Sequence, residues 1–246
     1  MEILPGVQIS GLGLYLSRHD TIVISDLHVG FEEMLAEHGV LVPRQHYHDI
    51  TQQFAAVLRG LRKKQVSRIV INGDFKHDFG RITSQEWREV LRFIDHLLER
   101  CRELVLVRGN HDIALGPVAR KRKISVVARL KLGDVLLLHG DRLEPIRRDI
   151  GTVIIGHEHP AITLHDPIKK ETYKCFLVGK FRKRNLILVP SFNPMLPGTD
   201  VLAGNFLSPF LDDIENFRAL IIEDNEALDF GEIGKLRKKL PSVKHF

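Results

Sequence analysis

The stretch "TVIIGHEH", residues 152–159, decides how this chain is read. Thr152, Val153, Ile154 and Ile155 are β-branched, the residue type that fills a pleated, buried surface. Gly156 ends the run, and His157 and His159 follow with one residue between them. The same pattern recurs in "TIVISD" (21–26), "RIVINGD" (68–74), "LVLVRGN" (104–110), "VLLLHGD" (135–141) and "LILVPSFN" (186–193). Short apolar runs bounded by Gly or Asp predict strands covered on both faces.

Helical periodicity fills the gaps between these runs. Residues 44–63 place Ile50, Phe54, Val57, Leu58 and Leu61 on one stripe, and residues 84–100 do so with Trp87, Leu91, Ile94 and Leu98. Thr83 or Ser84 is the N-cap candidate of the second helix, with Glu86 in its first turn. Alternating strands and helices predict an α/β layered domain. Three further stretches, 11–25, 172–191 and 217–233, read as hairpins, the last with its turn at Asp224 and Asn225. A second sheet packed on the first gives a layered β-sandwich flanked by helices. No linker rich in Pro, Gly or Ser interrupts the chain, so residues 1–246 read as one domain.

Composition narrows the function. The 43% hydrophobic content supports a sizeable core, and 27% charge is ordinary for a folded protein. Cys101 and Cys175 form no CxxC or zinc-finger spacing, which excludes a disulfide framework and predicts a reducing, cytoplasmic setting. The opening "MEILPGVQISG" has no basic region followed by an apolar stretch, and no run approaches membrane-spanning length. The net charge of +5 gathers in "RGLRKK" (59–64), "ARKRK" (119–123), "GKFRKR" (179–184) and "GKLRKKL" (234–240). Such clusters suit a polyanionic partner such as nucleic acid, or they are solvated faces. No aromatic residues interleave with them in the way a single-strand stacking groove requires.

In open α/β sheets, ligands bind beyond the carboxyl ends of the strands. Those positions hold Asp26 and His28 ("SDLH"), Asp74 ("NGDF"), Asn110, His111 and Asp112 ("GNHD"), His139 ("LHGD"), and His157 and His159 ("GHEH"). A lone Asp or His at a strand end is usually a turn former. Recurrence at the same topological place in five segments predicts a shared site instead. Asp26, Asp74 and Asn110 supply oxygen, while His28, His139, His157 and His159 supply nitrogen. This mixed set suits Mn, Fe, Zn, Co or Ni better than Ca or Mg. One ion does not use seven ligands, whereas two ions about 3.5–4 Å apart sharing a carboxylate do. His19, His38, His46, His48, His96, His165 and His245 show no such placement and stay unassigned.

The ordered blocks DxH, GD, GNH(D/E), H and GHxH resemble those of the calcineurin-like metallophosphoesterases, over about residues 20–160. The later "LVPSFNPMLPGTDVL" (188–202) resembles a subgroup, the archaeal phosphoesterases related to the nuclease SbcD and to bacterial DNA-ligase-associated phosphoesterases. The resemblance implies an α/β/β/α fold with a dinuclear site at the carboxyl ends of the strands. It implies one ion held by Asp26, His28, Asp74 and His159, and a second by Asp74, Asn110, His139 and His157, with manganese foremost. Two such ions lower the pKa of a bridging water, and the resulting hydroxide attacks phosphorus in line with the leaving group. His111 corresponds to the family's phosphate-contacting proton donor.

Two readings of Asp112 stand: it orients the His111 imidazole, or it caps the following segment. "FKHDF" brings Lys76 and His77 close to the site, with His77 a candidate phosphate contact. Arg108 in "RGNHD" is a candidate substrate contact or a strand cap. Glu158 is expected to point away from both ions. The leading expectation is a metal-dependent phosphodiesterase acting on nucleic acid or nucleotides. The alternatives are a phosphomonoesterase or phosphoprotein phosphatase on the same core, and a non-catalytic scaffold that binds a DNA-processing partner.

Overall fold

Apolar runs that alternate faces need a cover on each side, and the computed structural model shows how they obtain it; it describes residues 1–40, 45–77, 84–112, 115–165 and 169–239. The first sheet pairs seven strands in chain order: β1 (Glu2–Leu4), β2 (Val7–Ser10), β3 (Gly13–Leu16), β4 (Thr21–Ile24), β5 (Val66–Asn72), β6 (Cys101–Val107) and β7 (Ser125–Val127). Strands β1 to β4 run antiparallel, and β4 to β7 run parallel. Parallel neighbours need crossover connections. Helices α1 (Phe31–Glu37) and α2 (His46–Gly60), then α3 (Ser84–Leu98) and α4 (Gly116–Arg122), lie in those connections.

The second sheet is built from the rest of the chain. Its strands are β8 (Leu130–Leu132), β9 (Val135–Leu137), β10 (Thr152–Ile155), β11 (Pro160–His165), β12 (Lys170–Phe181), β13 (Arg184–Leu188), β14 (Thr199–Asp200), β15 (Arg218–Glu223) and β16 (Glu226–Glu232). At its centre β10 lies parallel to both β9 and β13, and the long β12 pairs with β11, β13 and β15. Residues 2–127 therefore make one sheet and residues 130–232 the other.

Strand periodicity distributes side chains among three apolar layers. Ile22, Ile24, Ile69, Ile71, Leu104 and Leu106 face α2 and α3, meeting Ile50, Phe54, Val57, Phe93, Ile94 and Leu97. The alternate residues Val23, Val70, Val105 and Val107 face the second sheet and meet Leu137, Ile154, Phe176 and Ile187. The outer face of the second sheet, with Val153, Ile155, Leu186 and Leu188, is covered by Phe210, Leu211, Ile214, Phe217 and Ile233. That last cover is irregular chain over most of its length, with α5 (Ile233–Lys239) as its helical part. Gly204 and Pro209 interrupt the covering segment, and neither suits a helix interior.

Helices α2 and α3 and the three hairpins fall where the periodicity predicts them. Arg44 and Thr83, at the edges of the predicted helices, lie outside the described residues. Near the start of β4, Asp20 adopts a left-handed φ of 45°. Its carboxylate accepts from the Tyr15 hydroxyl, Lys63 Nζ, and the Ser67 N–H and hydroxyl, all at 2.8–2.9 Å. This knot joins the β3–β4 hairpin to the start of β5. Among the described residues no helix is long and apolar enough to cross a membrane.

Candidate metal centre

The carboxyl ends of the parallel strands carry all seven candidate ligands. Asp26 and His28 follow β4, Asp74 follows β5, Asn110 follows β6, His139 follows β9, and His157 and His159 follow β10. Five of them hold a left-handed backbone: Asp26 (φ 53°), His28 (46°), Asp74 (43°), His157 (66°) and His159 (50°). Asp and His tolerate this region better than most residues, yet each instance costs on the order of 1 kcal/mol or more. Left-handed turns redirect the chain sharply as it leaves each strand, so these side chains point inward to a common centre.

Glycine makes the convergence possible. A Cβ on Gly73 would fall on the His139 imidazole, one on Gly109 on the Asp74 carboxylate, and one on Gly156 on the Ser25 hydroxyl and Asp26 carboxylate. In each of these dipeptides the glycine thus clears space for a group from another loop, not only for an ion. Ser25 Oγ lies 2.7 Å from both Asp26 Oδ2 and Asn72 O, and Asn72 Nδ2 donates to Leu138 O at 3.0 Å. Sequence reading passed over Ser25 and Asn72. Their polarity at the last positions of apolar runs was the available signal.

The donors fall into two sets, Asp26, His28 and His159 in one and Asp74, His139 and His157 in the other, with Asp74 facing both. In the first, His28 Nε2 lies 3.3 Å from His159 Nε2, which is 3.5 Å from Asp26 Oδ1. In the second, His139 Nε2 lies 3.2 Å from His157 Nδ1 and 2.8 Å from Asn110 Oδ1. Asp74 Oδ2 stands 3.2 Å from His139 Nε2 and 3.9 Å from His28 Nε2. Donor atoms about 2.1 Å from a common ion stand roughly 3.0–3.4 Å apart, and the 3.2–3.3 Å spacings match such edges, whereas the 3.9 Å between Asp74 Oδ2 and His28 Nε2 is longer. The two sets fit divalent transition-metal ions in both donor chemistry and geometry.

Electrostatics agree with that fit. Burial pushes the His28 imidazole down to about 3 and lowers His157, leaving both neutral with lone pairs available. Burial opposes ionisation of Asp26 and Asp74, but the facing histidines outweigh it and hold both carboxyls below the usual range. His139 is the exception. Burial disfavours its charge, yet the hydrogen bond to Asp74 and the nearby Asp26 lift it to about 9. Its proton must therefore leave before it can ligate.

His111 lies beside the shared carboxylate. Its backbone N–H donates to Asp74 Oδ1 at 2.9 Å, and its Nε2 is 3.9 Å from Asp74 Oδ2. Its Nδ1 donates to the His77 carbonyl at 2.6 Å, which fixes the ring. The orienting role considered for Asp112 thus belongs to a backbone oxygen. Asp112 itself accepts from the N–H groups of Gly109, Phe75 and Lys76 at 2.9, 3.0 and 3.4 Å, tying the "GNHD" loop to the "GDF" loop. Burial pushes its carboxyl up to about 6.

The His77 imidazole joins the cluster, with Nδ1 3.4 Å from His28 Nδ1 and its ring stacked on His111 at 5.7 Å. His28, His77 and His111 themselves form a group of metal-competent donors. Arg108 is exposed, and its backbone N–H pairs with Val127 O, outside the converging set. Glu158 turns to the N–H groups of Leu207 and Ser208, at 2.8 and 2.9 Å.

Three of the four basic clusters lie away from this centre. Residues 59–64 and 119–123 directly precede β5 and β7, and residues 179–184 span the end of β12, the turn and the first residue of β13, at the amino ends of β5, β7 and β13. The seven residues of β5 alone put about 20 Å between Val66 and Asn72. In the fourth cluster, Arg237 donates to the carbonyls of Val201 and Leu202 and pairs with Glu215.

Residues 20–220 match the family model of the calcineurin-like phosphoesterases. No curated protein matches the chain. Among solved structures, nuclease MPE of Pseudomonas putida aligns with a TM-score of 0.62 at 18% identity, over 89% of this chain and 93% of that one. A conserved uncharacterized protein of Streptococcus pneumoniae TIGR4, a predicted phosphoesterase, aligns over 86% and 97% at 14% identity, with a TM-score of 0.33. The first likeness is one of fold.

Proposed function

This chain belongs to the calcineurin-like phosphoesterase family, and on that premise we propose that it is a two-metal phosphodiesterase acting on nucleic acid or nucleotides. The observation that carries the reading is the pair of donor sets joined at Asp74 Oδ2, with His111 alongside. Asp26, His28, Asp74 and His159 would hold one divalent ion, and Asp74, Asn110, His139 and His157 the other. Such ions supply activated water and neutralise charge on the phosphoryl oxygens.

The protein's own groups do the rest. The His77 carbonyl holds the His111 ring so that Nε2 faces the shared carboxylate, placing it to give a proton to the leaving oxygen. His77, stacked on His111, is positioned to donate to a phosphoryl oxygen. Beyond the ligands, the imidazoles of His77 and His111 converge here. Imidazoles suit the single negative charge of a diester better than the nearly double charge of a monoester at neutral pH. The Pseudomonas putida protein of similar fold is a nuclease, which agrees with this substrate class.

The test compares bis(p-nitrophenyl) phosphate with p-nitrophenyl phosphate in Mn-loaded protein, then extends to DNA, RNA and nucleotides. A higher kcat/KM on the diester is expected. Faster turnover of the monoester would make the protein a phosphomonoesterase, and hydrolysis of neither by metal-loaded protein would leave a scaffold. His111→Ala is expected to keep both metals and lose about a hundredfold or more in kcat. Unchanged turnover would remove His111 from the mechanism.

A further inference from the structure

The segment "PSFNP" (190–194), which follows β13, contributes to neither donor set, yet its hydrogen bonds are directed at the loop that carries Asp26 and His28. Ser191 Oγ donates to the backbone oxygen of Asp26 at 2.7 Å, and the Phe192 N–H donates to Ser25 O at 2.8 Å. Asn193 Nδ2 donates to His28 O at 3.4 Å. Ser191, Phe192 and Asn193 are all buried. The segment is held from behind by Lys174 of β12, whose Nζ donates to Ser191 O at 2.7 Å and also to Asn193 O. Burial pulls this ammonium down to about 7. A buried amine is costly unless its hydrogen bonds are made, and here they are made to two carbonyls of one short segment.

We propose that Lys174 is a positioning residue for the first donor set, acting through Ser191 and Asn193 to hold the left-handed turns at Asp26 and His28. It reaches no candidate ligand directly among its hydrogen bonds. It sets the segment that sets the loop, and groups at this remove from an ion typically alter its affinity about 10–100-fold. The second donor set is carried by the loops after β5, β6, β9 and β10. It meets the Asp26 loop through the His157 N–H, which donates to the Asp26 carboxylate at 3.1–3.2 Å, and not through the 190–194 segment. Loss of Lys174 or of the Ser191 hydroxyl therefore weakens the ion of the first set more than that of the second. This inference rests on the two-ion reading of the site.

The test is Mn(II) titration of the full chain followed by electron paramagnetic resonance, for wild type, Lys174→Met and Ser191→Ala. Wild type is expected to take up two ions and show the spectrum of an exchange-coupled pair. Each variant is expected to bind its first ion as wild type does and its second about 10–100-fold more weakly, with the uncoupled six-line spectrum dominating at equal added Mn(II). Ser191→Ala removes one oxygen and adds nothing, so it carries the test where Lys174→Met does not fold. Two ions bound by Ser191→Ala with wild-type affinities and coupling overturn the positioning role alone. A wild type that binds no second ion overturns the two-ion reading itself.

Discussion

Gly156→Ala places a Cβ on the Ser25 hydroxyl and the Asp26 carboxylate, neither of which has room to retreat. The expected result is loss of metal stoichiometry together with a lower unfolding temperature, read by elemental analysis and thermal melting. Gly39→Ala is the control: nothing lies within 4 Å of its Cβ, so only the strain of its positive φ (80°) is felt, about 1–2 kcal/mol, and metal content stays unchanged. Asp20 tests a different kind of residue. Its folded carboxyl is held below its ordinary pKa because the bonds from Lys63, Tyr15 and Ser67 outweigh burial. A depressed carboxyl stabilises the fold above its unfolded pKa and loses that contribution as pH falls through the folded value. Asp20→Asn should therefore cost about 1–2 kcal/mol at neutral pH, the part-exposed Lys63 pair contributing the lesser share, and the gap to wild type should close in acid. Urea unfolding at several pH values reads both effects. The candidate ligands stood out in the sequence because each follows a strand within a few residues. The His77 carbonyl and Lys174 were not, because such contacts join distant segments and leave no local spacing.

At the scale of elements, α2 docks on the first sheet through Ile50, Phe54 and Val57, all almost wholly enclosed. Phe54→Ala is expected to cost about 3–5 kcal/mol in urea unfolding, because the surrounding layer closes a cavity of that size only partly. Metal stoichiometry should be retained, since the strand ends keep their own anchors; a loss would mean that α2 also sets the loops. The long central strands and the two long helices announced themselves by periodicity. Strands of two or three residues at the sheet margins, β1, β7, β8 and β14, did not, since they exist through a pairing partner more than through their own composition. The cover of the second sheet from Val201 to Phe217 was illegible for a related reason. Its apolar residues follow no period, and only the face they pack against gives them order.

For the whole molecule, the net charge of +5 told how much positive charge there is and not where it sits. Arg59, Lys63 and Lys64 line an open cleft of about 580 Å³ with Arg100, at the end of the sheet remote from the candidate ligands. A double Arg59→Ala, Lys64→Ala variant is expected to elute earlier from a heparin column while kcat/KM for bis(p-nitrophenyl) phosphate holds at the wild-type value. A fall in kcat/KM would bring these residues into the reaction. The division of the chain has a consequence of another kind. Every strand of one sheet precedes every strand of the other, with a two-residue joint between Val127 and Leu130, yet four candidate ligands come from the first half and three from the second. The polypeptide can be cut into two pieces on paper, but the chemistry cannot. On the proposed two-ion reading, a truncated product of either half would inherit only part of the donor set, so selection on activity would act on both halves as a single inherited unit.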